Sequence, residues 1–250
     1  MIYNLVLIAI QMFSFYTDYS DYLKKGDEFS QNFDNVNAVI NYEKAYELAP
    51  DNYEVLLKLT SSYNNAGEEF VELRKRDEAQ KYIDKAVYYA EIFHNKYPDS
   101  AEVYCYLAMS YGNLAMFRGS KEKIKLAKVV EENATKSLKM NPNLYVSYVV
   151  LGIYNREIAN LSFLERLFAN TFFGSVPDGS FEESIKMFNK ALKILPQTIV
   201  PAYQLAKVYR YMDDEQKERE LLKKVLTYKI KDFRDKFAIA KAKKRLEELN

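Results

Sequence analysis

Beyond about residue 20, apolar positions recur at intervals of three and four, the spacing of one face of an α-helix. Four of these stretches close on a proline: Pro50, Pro98, Pro142 and Pro196. The clearest stretch runs from Asp21 to Pro50 and carries Tyr22, Gly26, Phe29, Ala38, Tyr42, Ala45 and Pro50, at steps of 4, 3, 9, 4, 3 and 5. Small residues at Gly26, Ala38 and Ala45 let two antiparallel helices approach closely. The rings of Tyr22, Phe29 and Tyr42 fill the space beside them. Proline ends the second helix because it lacks an N–H and restricts the residue before it. The helices that follow the prolines repeat the pattern with Leu59 and Tyr63, then Leu107, Ala108 and Tyr111, then Leu151 and Gly152, then Leu205, Ala206 and Tyr209.

This alternation of small and aromatic positions resembles the tetratricopeptide repeat (TPR), over roughly residues 20–228. The resemblance implies an all-α fold, a TPR-like α-solenoid of about five helix-turn-helix units with an insertion in unit four and a C-terminal capping helix. The units are expected at about 19–52, 53–100, 101–144, 145–198 and 199–232, with the cap at 233–249. Residues 18–250 carry no evident linker and are expected to form one array.

The prolines stand 48, 44 and 54 residues apart, farther than one repeat of this kind requires. In unit two the excess falls in two equal parts, between Thr60 and Ala79 and between Ala86 and Pro98, so both helices of that hairpin should lengthen by about two turns. In unit three it lies around Met116 to Lys128. In unit four it is the segment from Leu161 to Ser180, where Leu161, Leu164, Leu167 and Phe168 share a helical face. A turn is expected at 174–179, and Ser180 with Glu183 has capping-box spacing for the next helix. Two arrangements suit the apolar insertion. Leu164, Leu167, Phe168, Phe172 and Phe173 fold back to seal the array between units four and five, or Leu164, Phe168, Phe172 and Phe173 form a docking surface for a membrane or another subunit.

Residues 5–16 begin with the apolar run Leu5-Val6-Leu7-Ile8-Ala9-Ile10. That is the length of a signal-peptide core and short for a membrane span. Residues 1–17 therefore read as a signal peptide or an N-terminal tether. Export to a periplasm or cell envelope is the expectation, with a cytoplasmic location the alternative.

Composition sharpens this in a few places. With 7 Gly and 6 Pro in 250 residues, long helices are favoured over a many-turned β fold. The 22 Tyr, 15 Phe and no Trp suit helix surfaces that are part buried and part wet, since tyrosine joins a wide ring to a polar tip. Net charge is +1, which gives no overall field to attract nucleic acid. The charge is uneven, however: residues 1–100 hold 17 acidic and 10 basic side chains, and residues 101–250 hold 18 and 26.

Candidate chemistry is sparse. His94 and Cys105 are the only residues of their kinds, too few for an ordinary zinc site or a disulfide. There is no phosphate-binding glycine loop, dinucleotide fingerprint or metalloprotease helix. No catalytic residue, metal site or cofactor is assigned.

The stretch comprising Leu151-Gly152, Leu161-Ser162-Phe163-Leu164-Glu165-Arg166, Phe172-Phe173-Gly174, Pro177 and Ser180-Phe181-Glu182-Glu183-Ser184 resembles the regulator of microtubule dynamics family, over roughly residues 100–248. That resemblance implies an adaptor rather than an enzyme. Microtubule association belongs to its eukaryotic members, and no tubulin-reading motif stands out here.

In TPR proteins the first helix of each hairpin lines a concave groove. By that resemblance the lining residues are Asn64 and Asn65 in unit two, Cys105, Met109 and Asn113 in unit three, Val149, Arg156 and Glu157 in unit four, and Tyr203, Lys207, Arg210 and Tyr211 in unit five. Asn65, Asn113, Arg156, Lys207 and Arg210 are expected to hold the backbone or carboxylates of a peptide, with Tyr203 adding rigid contact area. The simpler alternative makes them ordinary solvated helix positions. The functional expectation is a non-catalytic scaffold that binds a protein or peptide partner. A membrane-associated adaptor, tethered by the N-terminal run, is the second reading. A small-ligand carrier or hydrolase is the third.

Overall fold

A computed structural model describes residues 19–173, 175 and 178–249, so the apolar run at residues 5–16 lies outside the described residues. The chain divides into two compact units, Met1–Pro98 and Asp99–Asn250. The described residues hold helices and turns and no strand. The fold is the TPR-like α-solenoid that the repeat pattern implies.

In the first unit, α1 (19–31) meets α2 (Asn35–Leu48) at Gly26–Tyr42 and Asp27–Tyr42, and α3 (Tyr53–Glu72) pairs with α4 (Arg76–Lys96). The second unit contains α5 (Ala101–Arg118), α6 (Ser120–Met140), α7 (Tyr145–Ala159), α8 (Phe163–Phe173), α9 (Phe181–Ile194), α10 (Ile199–Tyr211), α11 (Glu215–Val225) and α12 (Phe233–Glu248). Here α5 packs on α6, α7 on α9 and α10 on α11, while α12 covers α10 and α11. The α3–α4 pair has 20 and 21 residues against 14 in α2, so both helices of that hairpin are long, as the doubled excess requires.

The prolines act as the sequence pattern anticipates. Helices α2, α4, α6 and α9 end at Leu48, Lys96, Met140 and Ile194, each two residues before a proline. The intervening residues Ala49, Tyr97, Asn141 and Leu195 have φ of −140, −133, −138 and −127° and ψ of 66, 57, 98 and 90°. Proline Cδ excludes the helical conformation from the residue before it, and four helices stop for that one reason.

Three of the turns inside the hairpins follow another rule, invisible in the repeat pattern. Phe33, Arg74 and Asp213 adopt left-handed backbone with φ of 63, 58 and 56°. In each case the next residue returns its N–H to the carbonyl five positions back: Asp34 to Phe29 at 2.9 Å, Lys75 to Phe70 at 2.9 Å and Asp214 to Tyr209 at 3.0 Å. The left-handed residue itself bonds the carbonyl three back. This is the Schellman ending of a helix, built without the usual glycine. After two of these turns, Asp34 and Asp214 then accept from the third N–H of the following helix.

Close helix approach occurs where the small residues stand. A Cβ on Gly26 would overlap the ring of Tyr42 on α2. One on Gly67 would lie 2.8 Å from Ile83 Cγ1. The core of the first unit gathers Ala38, Tyr42, Ala45, Val55, Leu59, Tyr63, Ala66, Ala86 and Tyr89. Asp27 on α1 accepts from the Tyr42 hydroxyl on α2 and from Lys58 Nζ on α3, both at 2.6 Å. One carboxylate thereby ties three helices together. The Tyr63 hydroxyl donates to Glu43, and Asn35 donates to Glu69 at 2.7 Å, so α2 and α3 are joined twice more.

The insertion departs from the first arrangement expected for it. Helix α8 turns back onto α6 of the preceding hairpin and does not seal the space beside unit five. Ala169 is fully buried there with Ile124, Ala127, Val130, Tyr154, Ile158 and Leu161, and Phe168 packs partly against the same cluster. Leu164, Leu167, Phe172 and Phe173 are exposed. The reason is local. Ser162 and Glu165 form a reciprocal cap at the start of α8, with Ser162 N to Glu165 Oε2 at 2.8 Å and Glu165 N to Ser162 Oγ at 3.3 Å. Arg166 then donates to the carbonyls of Ile158, Ala159 and Leu161 at 3.0–3.1 Å, satisfying the end of α7. Both anchors hold the start of α8 in this direction. They account for Ser162, Glu165 and Arg166 of the Leu161-to-Arg166 segment.

Candidate interaction site

The first helices of the second unit touch in series: α5 meets α7, α7 meets α10 and α10 meets α12. Their side chains therefore line one continuous layer, with α6, α9 and α11 paired behind them. Where α5, α6 and α7 meet, the layer is closed by small groups. Ser147 Oγ and Ser137 Oγ are 2.8 Å apart and both buried. Cys105 lies beside them, 4% exposed. Burial pushes its thiol up to about 11, against a smaller lowering by Ser147. At neutral pH it is a small apolar filler and not a thiolate nucleophile.

Farther along the same layer stands a buried arginine. Arg156, on α7, is 1% exposed. Its Nη1 donates to Gln204 Oε1 on α10 at 2.6 Å, and its Nη2 and Nε reach Glu157 Oε1 at 3.0 and 3.3 Å. Glu157 also receives Lys123 Nζ from α6 at 2.6 Å. Burial alone would raise the Glu157 carboxyl, but Arg156 and Lys123 outweigh it and hold the group below the ordinary range. The guanidinium lies 5.9 Å from the Tyr211 ring centre, and Tyr211 in turn stacks on Phe181 of α9 at 6.4 Å. One ionic chain thus joins α6, α7 and α10.

The expected groove residues separate accordingly. Arg156 does not offer its charge to a ligand, because its donors are spent on Gln204 and Glu157 inside the protein. Asn113 on α5 and Tyr203 and Lys207 on α10 are half-buried, each engaged with a neighbouring group. Arg210 is exposed, 4.0 Å from Glu248 of the capping helix. Asn65 belongs to the first unit, where it is half-buried and also engaged. Asn64 beside it is buried and donates to the Thr60 carbonyl at 3.0 Å.

The second expected surface is more open. Phe163 is 78% exposed, Leu164 73% and Phe172 68%. Phe168 is half-buried, its ring 4.7 Å from that of Phe172 and 5.6 Å from Lys121 Nζ. Phe163 was absent from the residues expected to dock, although its place at the start of α8 could have been read from the Ser162–Glu165 spacing. Among the described residues, no helix is long and apolar enough to cross a membrane, and no group of three His, Cys, Asp or Glu could hold a metal ion.

The sequence profile of the regulator of microtubule dynamics protein 1-3 family matches residues 17–250. The chain belongs to that family. The match begins well before residue 100, where the motif-level likeness starts. Mouse regulator of microtubule dynamics protein 1 is 26% identical over 161 residues, covering 62% of this chain and 52% of the relative. Human regulator of microtubule dynamics protein 2 is 28% identical over 123 residues, covering 49% of this chain and 30% of that one. The matched part is about half the length of the first relative and less of the second. Among solved structures, a thermophilic TPR protein from Thermus thermophilus superposes with a TM-score of 0.56 at 16% identity, over 90% of this chain and 98% of that one. That likeness places this regulator-family chain in the TPR fold.

Proposed function

We propose that this regulator-family chain is a non-catalytic scaffold that holds a partner protein on the layer formed by α5, α7 and α10. The observation that carries the reading is the continuity of that layer. Three first helices lie edge to edge, stiffened from within by the Arg156–Glu157–Gln204 network. A rigid layer lowers the ordering cost of binding an extended segment. Arg210, Lys207, Tyr203 and Asn113 are the polar and aromatic residues this layer offers to a partner carrying carboxylates, with Arg156 acting as a brace. An enzymatic reading finds no comparable support: the Cys105 thiol is buried and held protonated.

The test is direct. The tagged protein is used to capture partners from its native organism, and each identified partner is purified and titrated by calorimetry. Replacing Lys207 and Arg210 by Glu should weaken binding at least tenfold, with helix content by circular dichroism checking that the variant is folded. Undiminished affinity in the double variant would remove the layer from the binding site. Purified tubulin belongs in the same titration, because the named relatives are regulators of microtubule dynamics.

A further inference from the structure

Helix α8 carries two parallel rows of side chains at four-residue spacing: Phe163, Leu167 and Thr171 in one, and Leu164, Phe168 and Phe172 in the other. None of the six is charged. The one hydroxyl among them, on Thr171, is turned back onto the Leu167 carbonyl at 2.8 Å, so the threonine presents its methyl group. Rows spaced by four residues are the ridges that interlock when two helices pack at their commonest crossing angle, near −50°. The furrow between the two rows accepts one such ridge. The charges of α8 lie elsewhere and are already engaged, Glu165 with Ser162 and Arg166 with the carbonyls at the end of α7.

Area decides what kind of partner suits this face. With each phenylalanine offering about 200 Å² in full and leucine somewhat less, the exposed fractions of Phe163, Leu164, Leu167 and Phe172 amount to roughly 500 Å². That is the size of the largest apolar patch on an ordinary monomer, one that is often functional. Paired with an equal face it buries about 1,000 Å², the area a biological interface should clear. An uncharged, aromatic centre is what such interfaces have. Helices that seat in anionic membranes instead line their polar side with lysine and arginine, and the sole basic residue of α8 is spent on backbone carbonyls.

We infer that α8 is a homodimer interface, in which α8 of one chain crosses α8 of a second copy about a two-fold axis, the Leu164–Phe168–Phe172 ridge of each lying in the furrow of the other. A two-fold contact presents the same patch from both sides, so one self-complementary face is sufficient. The inference does not depend on the peptide-binding layer proposed above.

Sedimentation velocity over a concentration series of the full chain tests it. Wild type should sediment at twice the chain mass at micromolar concentration. Leu164→Asp combined with Leu167→Asp should raise the dimer dissociation constant more than about 30-fold, the loss expected at the centre of an interface. Both side chains are exposed in the single chain, so the thermal midpoint of the separated monomer should be unchanged. Leu167→Cys gives a second measurement, since mild oxidation should cross-link two copies through α8 while native Cys105 stays buried. A wild type that remains monomeric throughout overturns the inference, as does a dimer that survives the double aspartate change. So does a monomeric chain that floats with phosphatidylcholine vesicles and loses them on Leu164→Asp, which would assign the face to lipid.

Discussion

Gly152 on α7 faces the ring of Phe188 on α9 so closely that a Cβ there would stand 2.7 Å from Phe188 Cε1 and Cζ. The contact is reinforced one turn away, where Ser184 Oγ donates to the Gly152 carbonyl at 2.6 Å. The α7–α9 pair therefore depends on a residue with no side chain opposite a fully buried ring. Gly152→Ala should lower the stability of the second unit by about 1–3 kcal/mol, because the ring and its backbone must move outward to admit one methyl group. Chemical denaturation monitored by circular dichroism measures this. Restoring part of the loss with Phe188→Leu in the same chain would show that overpacking, and not an altered helix propensity, is the cause.

The glycine itself was legible in the sequence, because Gly152 occupies a small position of the repeat. The helix ends at Pro50, Pro98, Pro142 and Pro196 were legible for a similar reason: proline acts on its immediate neighbour, whatever the rest of the chain does. What could not be read depends on distant partners. An arginine on a first helix reads as a solvated groove residue, and only Gln204, 48 residues away, makes Arg156 a buried brace. Apolar periodicity shows that α8 has an apolar face but not what that face meets. Its direction is set by Arg166 and Glu165, whose polar caps carry no hydrophobic signal. The hairpin turns at Phe33, Arg74 and Asp213 were missed because a left-handed residue without glycine leaves no mark in composition.

The Arg156 brace should be costly to break. Arg156→Leu removes the partner of Gln204 and leaves Glu157 buried with Lys123 alone. A loss of about 3 kcal/mol is expected, as for one partner of a buried ion pair. The same network gives acid sensitivity. The folded Glu157 carboxyl is held below its ordinary value, so its contribution is complete above the unfolded pKa of about 4.3 and falls away as pH drops through the lower folded value. Unfolding curves from pH 6 to pH 3 should show a steeper loss in wild type than in Glu157→Gln, which has no such titration. Parallel slopes would separate Glu157 from the acid response.

Alkaline pH should act on the first unit. Burial, followed by hydrogen bonding to Asp27, raises the Tyr42 phenol well above its usual range, and burial followed by Glu43 does the same for Tyr63. Tyr89 is pushed up to about 12, mainly by burial. Below pH 10 folded and unfolded chains are both protonated at these positions, and the stability they provide is complete. Above pH 10 the unfolded chain ionises while the folded chain resists, so stability falls by up to about 1.4 kcal/mol per pH unit for each phenol. Tyrosinate absorbance at 295 nm should rise together with loss of helix between pH 10 and 12. Tyr42→Phe should lessen the pH slope while costing about 1 kcal/mol at neutral pH, where its hydrogen bond to Asp27 is lost.

Arg74 closes the hairpin between α3 and α4 with φ of 58°, and its side chain is exposed. A non-glycine residue in this region costs about 1–2 kcal/mol from the clash of Cβ with the following carbonyl. Glycine removes the clash but adds about 0.5–1 kcal/mol of unfolded-state freedom. Arg74→Gly should therefore raise stability by roughly 0.5–1 kcal/mol, whereas Arg74→Val should lower it, since a branched side chain is worst tolerated there. Opposite signs from two changes at one exposed position isolate the backbone, because neither substitution retains the charge and neither meets the core. Equal destabilisation by glycine and valine would instead mean that the arginine side chain, not the turn, holds α3 against α4.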